Sequence, residues 1–224
     1  MSAAKSGSTE TWRLDGAVAG PLIRAAHLGR RRSFRKGEFL YRQDEVDTSF
    51  FFILQGRVQV SMLREDGAEF VLEVMGQWAL CGEGAAFDGL PRFSSAVALE
   101  PVEAVAFDAR GMESLFRETP ELATALLRIA GMKQRVIGVR AQYLATQKPE
   151  KRIAELLTRL ADLYGQDAGD GVVIGISLTH EQIAAMTGAS RVTVTRTLTR
   201  LKDEGVIAVR GRQTRILDRK RLIA

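Results

Sequence analysis

The sequence predicts an α+β protein in three parts: an N-terminal antiparallel β-roll, a long helix, and a C-terminal winged helix-turn-helix. Three observations carry this. Between Phe34 and Phe107, short alternating segments are separated by turn pairs such as Lys36-Gly37, Gln55-Gly56 and Asp66-Gly67, a rhythm that suits a small antiparallel roll. From Gly111 to about Gln147 the period becomes helical and stays so. Ser177–Ile207 then reads as two short helices joined by a tight turn.

Composition narrows the function classes. Of the net charge of +5, the stretch from Ser177 to Ala224 holds ten Lys/Arg against four Asp/Glu, so the remainder is close to neutral. Basicity confined to one domain is the footprint of a nucleic-acid binder. One cysteine, Cys81, excludes an internal disulfide, and the two histidines, His27 and His180, lie far apart. No metal site and no catalytic nucleophile–base pair is expected, so the reading is not an enzyme. No apolar run approaches the roughly 20 residues of a membrane span. Residues 1–12 lack the apolar core of a signal peptide and read as a disordered N-terminus of a cytoplasmic protein.

The N-terminal unit is expected over residues 13–110. A short helix candidate spans Ala17–Leu28, interrupted at Gly20-Pro21. Strands follow over Phe34–Tyr41, Ser49–Leu54, Arg57–Leu63, Glu69–Met75, Trp78–Leu80, Ser95–Leu99 and Val102–Phe107. Phe50, Phe51 and Phe52 read as core and edge packing.

Residues 111–147 form the long helix, with Pro120 starting a fresh segment at its first turn. Ala125, Ile129, Met132, Val136, Val139 and Tyr143 recur at alternating steps of four and three. That heptad seam predicts a dimer helix; the alternative is that the same side chains pack on the helix's own roll. Gln147-Lys148-Pro149 reads as a hinge, opening a DNA-binding domain over residues 148–224.

In that domain Arg152–Leu163 is an amphipathic helix and Gly165–Gly175 a loop and hairpin. Thr179 caps the first helix of the helix-turn-helix, with Gln182 completing a capping box, and Gly188 ends it. Ser190 caps the second, whose inner side is Val194, Leu198 and Leu201. Arg191, Val192, Thr193, Thr195, Arg196 and Arg200 face out, cationic, hydroxylic or small, without an acid among them. Such a surface fits guanine edges, phosphates and thymine methyls in a major groove. Val206–Leu217 adds a basic wing carrying Arg210 and Arg212. Double-stranded DNA is the expected partner.

Roll, long helix, hinge and winged helix-turn-helix in this order resemble the CRP/FNR family of bacterial transcription regulators. The specific marks are Gly82-Glu83, with Arg92 ten residues after Gly82, and the helix-turn-helix itself. The resemblance implies a cyclic-nucleotide-binding-like roll holding an effector, a homodimer about the long helix, and RNA polymerase as a further partner. It places the effector site at Gly82, Glu83, Gly84, Ala85, Arg92, Phe93, Ser94, Lys133 and Ile137. Phe93 stands where cyclic-AMP receptors carry a serine, and Ile137-Gly138 stand where they carry the adenine-contacting pair. The stretches Arg92–Ala98 and Ser190–Arg196 are similar to the NtcA-type nitrogen regulators of cyanobacteria, which sense 2-oxoglutarate; Lys133 takes the place of their second arginine. The implied effector is a small anion, either a 2-oxoglutarate-like acid or a cyclic nucleotide. A cyclic-AMP receptor and an effector-independent member are the alternatives. An unpaired Arg92 inside an apolar roll would be costly, so its expected partner is Glu83 in the empty protein, or the phosphate or carboxylate of a ligand. Val192 replaces the family's cytosine-reading glutamate, so that base pair is expected to be read by apolar contact.

Overall fold

The computed structural model describes residues 14, 16–65, 67, 69–211 and 213–223; the N-terminal stretch 1–12 and Arg212 lie outside the described residues. The described chain divides into two compact units at Ile137/Gly138, ten residues before the hinge that the sequence suggests.

The first unit is built on two four-stranded antiparallel sheets. One has the order β1-β8-β3-β6, with β1 Arg30–Phe34, β3 Ser49–Gln55, β6 Leu80–Cys81 and β8 Val102–Asp108. The other has the order β2-β7-β4-β5, with β2 Phe39–Tyr41, β4 Val58–Leu63, β5 Glu69–Met75 and β7 Ser95–Ala98. The single strand expected over Phe34–Tyr41 is therefore two, in different sheets, divided at the Lys36-Gly37 turn.

Alternation along β3 shows how the roll fills. Phe51 enters the core between the sheets with Phe34, Tyr41 and Ile53. Phe50 and Phe52 point the other way, under helices α1 (Gly16–Ala25), α3 (Met112–Glu118) and α4 (Pro120–Thr146). All three are buried, each contributing roughly 1.5–3 kcal/mol through burial. Phe50 also stacks on Phe107 with ring centroids 5.4 Å apart.

Helix α4 corrects the expected seam. Ile129 belongs to the cluster under the helices with Leu122, Val136 reaches the core between the sheets, and Ala125 is buried. Met132 packs half-buried on the cluster under the helices, and Val139 and Tyr143 are half-buried. The stripe chosen from the sequence thus turns inward within one chain. A second heptad stripe, Ala123, Leu127, Ala130, Gln134, Ile137, Ala141 and Leu144, lies on the opposite side, and six of its seven members are exposed.

In the second unit, α5 (Pro149–Tyr164) supplies the core through Ile153, Leu156, Leu157 and Leu160. Helices α6 (His180–Thr187), α7 (Arg191–Asp203) and the short α8 (Arg219–Ile223) pack on it. The sheet has the order β11-β12-β10-β9, with β9 Gly165–Asp167, β10 Val172–Ile174, β11 Ile207–Arg210 and β12 Gln213–Ile216. Its β11-β12 hairpin is the wing.

Candidate effector pocket and nucleic-acid interface

A cavity of about 230 Å³ opens in the first unit between the Gly82–Ala85 turn, the Arg92–Ser94 segment and α4. Eight of the nine residues the sequence assigns to an effector, all but Ile137, come from the turn, that segment and Lys133; all nine line the cavity, with Tyr41, Val60, Met75 and Cys81. Gly82 caps α2 (Glu83–Asp88) at φ +85°. A Cβ there would lie 2.7 Å from Arg92 Nη1, so the turn needs glycine for both conformation and space.

The ion pairs differ from the expected one. Arg92, 1% exposed, does not meet Glu83. Its Nη1 donates to Gly82 O at 3.1 Å and its Nη2 to Ser49 O at 2.5 Å, with Asp47 Oδ2 at 3.5 Å and the Tyr41 ring 4.3 Å beneath the guanidinium carbon. The guanidinium is thus committed to two backbone carbonyls and one carboxylate, while its buried Nε has no protein partner. Burial works against the Asp47 charge, yet hydrogen bonds from Ser49 and the nearby Arg92 hold that carboxyl below its usual range. Glu83 instead pairs with Lys133: Nζ donates to Glu83 Oε1 at 2.5 Å and to Leu80 O at 2.7 Å.

Other walls are apolar or neutral. Burial pushes the Cys81 thiol up to about 12, and burial likewise raises the Tyr41 phenol, aided by the neighbouring Cys81. Phe93 is 57% exposed and closes one side of the mouth. Among the described residues no cluster of three or more metal-ligating side chains occurs.

In the second unit the helix-turn-helix is held by local capping. Thr179 Oγ1 accepts from Gln182 N at 3.1 Å and Gln182 Oε1 accepts from Thr179 N at 2.9 Å, closing the capping box. Gly188 takes φ +60° at the C-cap of α6, and Ser190 Oγ accepts from Thr193 N at 3.1 Å. Val194, Thr197, Leu198 and Leu201 bury the inner side of α7. Arg191, Val192, Thr195, Arg196 and Arg200 remain on the outside, and Val192 is 67% exposed.

Several outward groups already have neighbours. Arg191 lies 3.7 Å from Glu181, both well exposed, a pair worth little in water. Arg200 is held by Glu204 at 3.0 Å one turn on. Thr193 Oγ1 lies 2.9 Å from Ser190 Oγ. Thr195 donates its hydroxyl proton to Arg191 O, so its oxygen accepts from His180 Nδ1, which fixes that ring's tautomer. His180 joins this face only through Thr195, fifteen residues away, a contact that helical spacing does not reveal. Arg210 is exposed at the tip of the wing.

Residues 31–119 match the family model for the cyclic nucleotide-binding domain, and residues 151–224 match that for the Crp-like helix-turn-helix domain. A CRP-like cAMP-activated global transcriptional regulator of Mycobacterium tuberculosis is 32% identical over 190 residues, 84% of each chain. The global nitrogen regulator of Nostoc sp. is 28% identical over 181 residues, 79% of this chain and 80% of its own. The structure of OCPA-complexed CprK superposes with a TM-score of 0.70 at 25% identity, over 90% of this chain and 91% of that one. With an effector-binding roll and a DNA-binding helix-turn-helix in one polypeptide, the chain belongs to the CRP/FNR family, which consists of transcription regulators and not of enzymes.

Proposed function

We propose that the protein acts as a homodimer that binds a pseudo-palindromic DNA site through two copies of α7 and is modulated by a small effector in the roll cavity. The carrying observation is the outer face of α7, where Arg191, Val192 and Arg196 stand exposed over a fully packed inner side. An arginine can fork onto a guanine edge and an isopropyl group can meet a thymine methyl. Arg210 adds a phosphate contact from the wing, and Arg200 reaches a phosphate by leaving Glu204.

Regulators of this family are dimeric. The exposed stripe on α4 supports a second copy as its cover: Leu127 is 74% and Ile137 55% exposed at heptad spacing. Small residues at Ala130 and Ala141 let two such helices approach closely. RNA polymerase is the proposed downstream partner.

The relatives point to different effectors, with cyclic AMP in the mycobacterial protein's name and OCPA in the CprK complex. For this chain cyclic AMP is disfavoured, because Phe93 and Ile137 offer no side-chain polar partner to a nucleotide at the cavity. Selection of duplexes from a random pool tests the DNA reading. It should enrich two inverted half-sites whose centres lie about 34 Å apart. Enrichment of a lone half-site, or of none, would contradict it.

A further inference from the structure

The charges on the cavity wall balance within the protein. Arg92 faces Asp47, and Lys133 faces Glu83. These two pairs are not equally open to exchange. Arg92 is 1% exposed and donates to the carbonyls of Gly82 and Ser49, two buried bonds that would be broken if it turned toward a ligand, even though Gly82 O would keep Ala86 N. Glu83, by contrast, sits on the first turn of the six-residue α2 with its side chain 18% exposed, and the Lys133 ammonium that it meets is 12% exposed. A carboxylate from outside can take the place of Glu83 on Lys133 while Glu83 turns to water, with no change in the buried charge.

Size and lining define the rest of the ligand. About 230 Å³ is the liquid volume of roughly eight waters and falls below the range of about 300–1,000 Å³ of drug-sized sites. Beyond the charged groups the walls are mostly apolar, with Val60, Met75, Ala85, Phe93 and Ile137, while Tyr41, Ser94 and Gln134 add only uncharged polar atoms, surfaces that match an apolar body and offer a second acid no cation.

We infer that the cavity takes a compact monocarboxylate with an apolar body, bound by exchanging its carboxylate for that of Glu83 on Lys133. This rests on the cavity being the effector site and names the class of effector. A dianion such as 2-oxoglutarate brings a second charge for which neither wall has an uncommitted cation. A cyclic nucleotide brings a ribose, a base and a phosphodiester, many polar groups for walls that are mostly apolar.

Calorimetric titration of the full chain with benzoate, 4-methylvalerate and 3-phenylpropionate tests the inference, with 3-phenylpropionamide, 2-oxoglutarate and cyclic AMP as comparisons. At least one of the three monoacids should bind at least tenfold more tightly than any comparison compound. Lys133→Met should weaken that binding at least tenfold. Glu83→Gln removes the internal competitor and should strengthen it severalfold, a gain that a damaged fold does not produce. Tighter binding of 2-oxoglutarate or cyclic AMP than of any monoacid overturns the ligand class while leaving the effector site standing. Unchanged or weaker monoacid binding in Glu83→Gln overturns the exchange. If none of the six compounds binds, the effector site falls and the inference with it.

Discussion

Arg152 Nη2 donates to the carbonyl oxygen of Gly188 at 3.1 Å, and its Nη1 donates to Leu144 O at 3.0 Å. One guanidinium near the start of α5 therefore serves the last turn of α4 and the turn of the helix-turn-helix together. Both acceptors lie at helix C-termini, where carbonyls lack intrahelical partners and a cation is favoured. Leu144 Cδ2 fills the space beside Gly188, 3.3 Å from where a Cβ would be. Arg152→Ala should destabilise this unit by roughly 1–2 kcal/mol, the worth of two charge-assisted bonds at a half-exposed site. Lys151→Ala, at the exposed neighbour, should be neutral. Thermal unfolding of the two variants side by side checks this; equal midpoints would show that the bridge contributes nothing.

Cys81 should be chemically silent in the folded protein. The thiolate is the reactive form, and a thiol pushed up to about 12 is ionised in about one molecule in ten thousand at pH 8. Iodoacetamide should label it only on unfolding, and stoichiometric labelling of native protein would contradict the burial. The same shift sets a stability slope. The folded value lies above the unfolded value of 9.0, so the folded state holds the proton longer, and stability is intact below pH 9 and falls as pH rises toward 12. Cys81→Ala should flatten the loss between pH 9 and 10, before Tyr41 adds its own.

Two substitutions separate the faces of α4. Leu127→Asp places a charge on the exposed stripe and should shift the dimer toward folded monomer in analytical ultracentrifugation. Val136→Asp buries an unpaired charge in the roll core and should unfold the first unit, at a cost of about 3–5 kcal/mol. A folded monomer from Val136→Asp, with Leu127→Asp still dimeric, would return the seam to the inward stripe.

Much of the roll and the helix-turn-helix is legible in sequence because their signals are local. Turn glycines, period-two alternation and the Thr179–Gln182 box each act within a few residues. What escapes depends on distant partners. Strand β1, Arg-Arg-Arg-Ser-Phe, shows no alternation, and it is a strand because residues 102–106 offer it a ladder at the sheet edge. Spacing places Arg92 near the Gly82 turn, but its carboxylate is Asp47, 45 positions earlier, and Glu83 finds Lys133 50 positions later. On α4 two stripes share one heptad period, and periodicity cannot tell which faces inward. Side-chain size does not separate them either, since Ile129 and Val136 lie inside while Leu127 and Ile137 lie outside.

In the proposed complex α7 reads bases while the wing only holds the backbone. Fluorescence anisotropy on the selected duplex, with each half-site base pair replaced in turn, tests it in Arg191→Ala and Arg210→Ala. Arg191→Ala should cost roughly 1–3 kcal/mol and erase discrimination at one base pair per half-site. Arg210→Ala should weaken every duplex alike and lower the salt slope by about one per subunit. Uniform weakening by Arg191→Ala, with base preference intact at every position, would contradict direct readout by α7.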